Sequence, residues 1–160
     1  MLVVTILFIA GCAAPIRATD QTNQNNAFWS GRLALTVDAD QSQSFSAGFE
    51  LKGNAGAGDL SLYNPLGSTL AILAWAPGSA TLRSDNQTRS FDSLDDLVRH
   101  ATGTVIPVAA LFDWLQGINT PVPGWQADLS QLARGRLVAR RSMPLPTAEL
   151  RLALEKQLPE

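Results

Sequence analysis

The chain has 160 residues, 46% of them hydrophobic and 16% charged, with a formal net charge of −2. Its length is that of one ordinary domain with room for a real core. The slight acidity argues against nucleic acid, which needs a basic face. Soluble domains usually carry about 25% charged residues, so this chain is somewhat greasy, which is consistent with an apolar cavity without establishing one.

Residues 2 to 11 form an uncharged apolar run that stops at Cys12. As a helix it would span only ~15 Å, about half a bilayer's hydrocarbon core, so it has the length of a signal-peptide core and not of a membrane span. Its ending Ile9-Ala10-Gly11-Cys12 resembles the lipobox of bacterial lipoproteins. That resemblance implies cleavage after Gly11 and acylation of the Cys12 thiol. No Lys or Arg precedes the run; a start codon assigned too far downstream would account for it. Cys12 is the only cysteine, so internal disulfides and cysteine-rich metal sites are excluded. Two acyl chains hold where one does not, at ~0.8 kcal/mol per buried methylene. Ala13, rather than Asp, after the cysteine favours the outer membrane by analogy with other lipoproteins. Residues 12 to 27 then read as the acylated cysteine and a polar, flexible tether.

The folded part, residues 28 to 160, opens at Phe28-Trp29. Leu33, Leu35 and Val37, then Phe45, Ala47, Phe49 and Leu51, then Leu60 and Leu62 recur at every second position, the mark of antiparallel strands with one buried face. Thr69 to Ala76 is apolar at nearly every position and predicts a strand covered on both sides. Turn signals fall at 38–42, 53–58, 64–67, 77–78 and 84–87, and short strands at 80–83 and 87–91. The period then changes. Leu94, Leu97, Val98 and Ala101 predict a helix, with Asp92 or Ser93 as its N-cap and Gly103 as its end. A second helix starts at Pro107, shows Leu111, Trp114 and Leu115 on its apolar face, and ends at Gly117. Trp125–Leu129 and Gly135–Arg140 return to alternation, and 148–154 fits either a strand or a helix. The fold class is β-rich (α+β), an antiparallel sheet with two helices inserted about two-thirds along.

No catalytic or metal motif accompanies this pattern. His100 is the only histidine, so a histidine-built zinc site is excluded and any hydrolase triad would have to centre on it. Near a helix end it reads as a capping or surface residue. Asp92, Asp95 and Asp96 read as a solvated helix N-terminus. No nucleophile elbow, metalloprotease helix or P-loop is present. The expectation is a binding protein without catalytic residues, metal or cofactor.

Asn64-Pro65-Leu66-Gly67 fits a type I turn with Leu66 at its tip. Leu66 either protrudes toward lipid or an apolar partner, or folds back on the sheet edge.

Several segments resemble the outer-membrane lipoprotein receptor family LolB: Trp29-Ser-Gly-Arg-Leu-Ala-Leu, Ser46-Ala-Gly-Phe-Glu-Leu, Leu60-Ser-Leu-Tyr-Asn-Pro-Leu-Gly-Ser-Thr69, Thr102-Gly-Thr-Val-Ile-Pro-Val, Ala110-Leu-Phe-Asp-Trp-Leu-Gln-Gly and Gly124-Trp125. The resemblance implies an unclosed antiparallel β-barrel, or half-barrel, with helices packed in its concave side around an apolar acyl-chain cavity. It implies receipt of client lipoproteins from the periplasmic carrier LolA and their insertion into the outer membrane without nucleotide, by a lipid-anchored monomer facing the periplasm. It makes Pro65, Leu66 and Gly67 the membrane-insertion loop. Cavity candidates are Phe49, Leu62, Leu73, Trp75, Leu111 and Trp114, although alternation alone does not separate a lined cavity from a packed core. The other function considered is a structural or assembly-factor envelope lipoprotein that binds a protein partner.

Overall fold

The computed structural model describes residues 27 to 156; the apolar run, Cys12 and all but the last residue of the tether segment lie outside them. Nine strands and two helices follow in chain order: β1 (Phe28–Asp38), β2 (Gln43–Gly53), β3 (Gly58–Tyr63), β4 (Thr69–Ala76), β5 (Ser79–Ser84), β6 (Gln87–Phe91), α1 (Leu94–Thr102), α2 (Val108–Leu115), β7 (Trp125–Asp128), β8 (Arg136–Arg141) and β9 (Thr147–Leu154). A 3-10 turn, Leu132–Arg134, precedes β8.

Short hairpin loops make each strand pair with the one before it, so the sheet grows as a meander. The late strands join it from the other side, where β9 pairs antiparallel with β1. The order is β6-β5-β4-β3-β2-β1-β9-β8-β7, all antiparallel and unclosed between β6 and β7. Ala27 already belongs to this sheet, since its carbonyl accepts the Gly53 amide at 3.0 Å. The ambiguous segment at 148–154 is a strand, paired along its length with β1 and β8.

The helices start and stop where the chain's chemistry says they should. Ser93 is the N-cap of α1, its Oγ accepting the Asp96 amide at 3.1 Å. Gly103 closes α1 in the left-handed region and donates to the Arg99 carbonyl. Pro107 sits at the N-cap of α2, where its missing N–H costs nothing. Gln116 is the C-cap, one residue earlier than expected, and Gly117 follows it with φ 83°. Among the described residues no helix is long and apolar enough to cross a membrane.

One expectation about the sheet needs correction. β4 is not covered on both sides. Leu73 and Trp75 are buried on the concave face, whereas Leu70 and Ala76 are exposed and Ile72 and Ala74 only half-buried on the other. An apolar side chain is not thereby an inside one, because much of any protein surface is apolar.

The outer face of β8 and β9 carries an ion-pair row in which Glu149 takes Arg140 at 2.6 Å and Arg151 at 2.5 Å. The bond from Arg140 holds the Glu149 carboxyl below its ordinary pKa, with Arg151 adding to it. A depressed carboxylate pKa contributes stability at neutral pH that fades as pH falls through the folded-state value. Glu149→Gln should therefore lower stability at neutral pH by no more than about 1 kcal/mol, with the difference from wild type shrinking in acid; denaturation curves at several pH values check this.

Candidate functional site

Cross-strand register decides which leucines share a face. Phe49 lies opposite Leu62 and Leu62 opposite Ala71; Leu51 lies opposite Leu60, Leu60 opposite Leu73, and Leu73 opposite Leu82. On the other flank Leu33 and Leu35 stand opposite Leu152 and Leu150. With a side-chain period of two, these rows project from one face of the sheet. Two helices cover that face, presenting Leu94 and Val98 from α1 and Val108 and Leu111 from α2.

Sheet and helices do not close on one another. They enclose a cavity of about 870 Å³, lined by these side chains. Protein interiors normally fill such space to crystal-like density, and small-molecule pockets run from about 300 to 1,000 Å³. The volume is thus at the upper end of what proteins keep for a ligand. Its wall is apolar and holds no metal-ligand cluster; among the described residues no three His, Cys, Asp or Glu come together to hold an ion. The chemistry on offer is burial of hydrocarbon.

The floor is Trp75, backed by Phe112 and Trp29, which lie behind the lining. Phe112 packs edge-on against Trp29 at 5.7 Å and Trp75 at 6.3 Å, and the Trp75 indole donates to the Asn54 carbonyl in the β2–β3 loop at 2.9 Å. The opposite end carries polar lining, Ser42 to Ser44, Ser84 and Thr102, and residues 42 to 45 there are exposed. It is the mouth. Antiparallel pairing puts the β1–β2, β3–β4 and β5–β6 turns at this end, together with the β8–β9 loop, because Asp38 at the end of β1 pairs with Thr147 at the start of β9.

The β3–β4 turn on this rim is Asn64 to Ser68. The Gly67 amide donates to the Asn64 carbonyl at 2.9 Å, and Asn64 Oδ1 accepts both the Leu66 and Ser68 amides at 2.9 Å. Gly67 has φ 84°, a conformation that costs glycine little and other residues more. Turn and Asn64 together leave Leu66 pointing outward, 91% exposed. Of the two readings the sequence left open, the protruding one holds.

The matching family is described as "Outer membrane lipoprotein LolB", over residues 27–148. The outer-membrane lipoprotein LolB of Bordetella petrii is 32% identical over 173 aligned positions, covering 92% of this chain and 87% of the relative. The chain belongs to the LolB family. The LolB proteins of Cupriavidus pinatubonensis and Ralstonia nicotianae are 32% and 34% identical, over 82% and 83% of this chain. The chain spans just under two thirds of those two relatives, 65% and 66% of their lengths. The LolB match takes in β1 through β8, and with them most of the cavity wall and the Leu66 turn, and ends at the start of β9.

Against this LolB frame the six cavity candidates divide. Phe49, Leu62, Leu73, Trp75 and Leu111 all line the cavity. Trp114 does not. It is fully buried behind α2, its indole donating to the Thr120 carbonyl at 2.9 Å and its ring 6.5 Å from Trp125. Leu111 and Trp114 share the helix's apolar character, but one turns toward the cavity and the other into packed core. Sequence reasoning did not name Leu60, Leu82, Leu150 and Leu152 as cavity residues; Leu60 shares the face of Leu62 on β3, and for Leu82, Leu150 and Leu152, the last two on a segment that fitted strand or helix, the register shows that they join it. Cys12 falls outside the described residues.

His100 is exposed beside β6, its Nε2 3.0 Å from Arg89 Nη1 and its ring 5.2 Å from Phe91. A guanidinium only donates, so Arg89 cannot act as the orienting carboxylate that a hydrolytic histidine uses.

Arg141, buried at the end of β8, ties two mouth loops together. Its guanidinium donates to the Pro144 carbonyl at 2.9 Å and across to Thr104 Oγ1 and the Val105 carbonyl in the α1–α2 loop. Arg141→Ala should strand these acceptors and lower stability by about 1–3 kcal/mol, read as a shift in the urea midpoint.

Proposed function

We propose that this protein receives acylated lipoproteins from the periplasmic carrier LolA, holds their acyl chains in the cavity, and releases them into the outer membrane. It is a binding protein and not an enzyme, and it works as a monomer. Residues 1 to 11 serve as the signal peptide, Cys12 carries the lipid anchor, and the segment to residue 27 is the leash for one lipid-handling domain. The observation that carries the reading is the apolar cavity of about 870 Å³ opening on the same rim as Leu66, which is 91% exposed. The LolB relatives support the destination through their name as outer-membrane lipoproteins.

No fuel is needed if each acceptor offers the acyl chains a better apolar site than the donor. Each methylene moved out of water contributes ~0.8 kcal/mol, so small differences in how completely chains are buried set the direction. The bilayer buries them fully and is the end point. The test is a transfer assay with LolA loaded with a lipoprotein. Adding this protein should move the lipoprotein to it, and adding vesicles should then draw the lipoprotein into lipid, without nucleotide. A lipoprotein that stays on LolA contradicts the proposal.

A further inference from the structure

Leu66 is not the only apolar group displayed on the rim of the mouth. The β8–β9 loop, Ser142-Met-Pro-Leu-Pro146, holds Met143 at 65% and Leu145 at 74% exposure. Val105, whose carbonyl Arg141 takes, is 39% exposed beside it. The loop carries no charge of its own. It stands four strands along the rim from the Leu66 turn, since β3 and β4 are separated from β9 and β8 only by β2 and β1.

The loop is held in place. Arg141 donates to the Pro144 carbonyl at 2.9 Å, and the Ser142 amide donates to the Gly124 carbonyl at 2.9 Å. Gly124 has φ 78°, and a Cβ there would run into the Met143 carbonyl, so the preceding loop and this one touch backbone to backbone. A fixed loop that shows Met143 and Leu145 to solvent cannot hide them by folding back. Burial of large apolar side chains is strongly favourable, so an apolar phase that took up this display would be held by it.

Resting on the function proposed above, we infer that the β8–β9 loop is a second membrane contact. With Leu66 it seats the mouth of the cavity flat on the phospholipid surface. Cargo leaving the mouth must pass straight into lipid, so the groups around the mouth meet lipid first. A single contact at Leu66 would leave the domain free to tilt; two contacts on either flank fix the mouth downward. Of the two arginines behind the loop, Arg141 is buried and holds the loop, while Arg140, its side chain 59% exposed and paired with Glu149, is the cation within reach of anionic headgroups. Between the two contacts the β1–β2 turn carries Asp38 and Asp40, and beyond Leu66 the β5–β6 turn carries Asp85. These polar turns stay in the headgroup layer and limit the depth reached.

The test labels one site at a time on the full acylated chain. Acylation consumes Cys12, the only cysteine, so Met143→Cys, Leu66→Cys and Ser79→Cys each offer one free thiol for an environment-sensitive fluorophore. Ser79 lies in the β4–β5 hairpin at the far end of the sheet. On vesicles of phosphatidylethanolamine with a minority of phosphatidylglycerol, probes at 143 and 66 should shift to the blue. Nitroxide-labelled lipids should quench both, while the probe at 79 stays aqueous. The double variant Met143→Glu/Leu145→Glu should accept lipoprotein from the carrier normally and deliver it to vesicles about tenfold more slowly. A quenched probe at 66 with an aqueous probe at 143 overturns the second contact and leaves the function intact. An aqueous probe at both positions overturns both. A probe at 143 that becomes shielded only when the carrier protein is added assigns the loop to a protein partner and also overturns the proposal.

Discussion

Leu66→Glu should leave the protein folded and able to take up acyl chains, yet slow delivery to membranes at least tenfold. The argument begins with exposure. At 91% exposed, the side chain makes almost no contribution to the folded domain, and surface substitutions of this kind usually stay within about 0.5 kcal/mol. The turn itself rests on Asn64, Pro65 and Gly67, none of which the change touches. In contact with lipid the balance is different. Burial of a leucine contributes about 1.5–3 kcal/mol, and a glutamate there must also be desolvated or protonated. A loss of 1.4 kcal/mol is roughly a factor of ten in rate if the contact forms before release. Stability, acyl-probe uptake and vesicle transfer measured on one preparation separate the effects. Leu66→Met, which keeps an apolar tip, should transfer nearly as wild type. Normal delivery by the glutamate variant would remove the loop from the mechanism.

Trp114→Ala should be the most damaging single truncation for stability, at about 3–5 kcal/mol. The side chain is fully buried, packs near Trp125, and satisfies the Thr120 carbonyl. Its removal leaves a large hole in a part of the core that has no outlet. Leu111→Ala, one turn earlier on the same helix, should cost about 1 kcal/mol. Leu111 is half-buried and already faces open volume, so its truncation enlarges a space and creates none. The pair makes a contrast inside one helix that equilibrium denaturation reads directly. Equal costs would mean that the wall behind Leu111 is packed core after all.

The contrast also marks where sequence reasoning stopped. Period-two alternation placed the early strands, and the change of period at Leu94 placed the helices, because these signals are local. The Ser93 cap, the Gly103 end and the Asn64 turn were legible for the same reason: their chemistry lies within a few residues. Partnership between distant strands was not. Nothing in residues 147–154 says that they pair with β1, so Leu150 and Leu152 could not be assigned to the cavity wall. Hydrophobicity alone made β4 look covered twice and made Trp114 look like Leu111, since it reports dislike of water and not which neighbour removes it. Phe49, Leu62 and Leu73 were legible as inward residues, but whether they met a packed core or a cavity depended on how far the helices stand from the sheet. That distance is a property of the whole fold. A well-packed interior would have favoured the assembly-lipoprotein reading; the cavity favours lipid handling.

The central claim is that this cavity takes acyl chains, and filling it tests that most directly. Ala71 lies on β4 opposite Leu62, in the wall and away from the floor cluster. A tryptophan there projects into the open volume without displacing packed core. Titration with a fluorescent long-chain fatty acid should show saturable uptake into an apolar environment by wild type. Ala71→Trp should lose that uptake while keeping its circular dichroism and its denaturation midpoint. Undiminished uptake by a folded Ala71→Trp variant, or no uptake by wild type, would contradict the account.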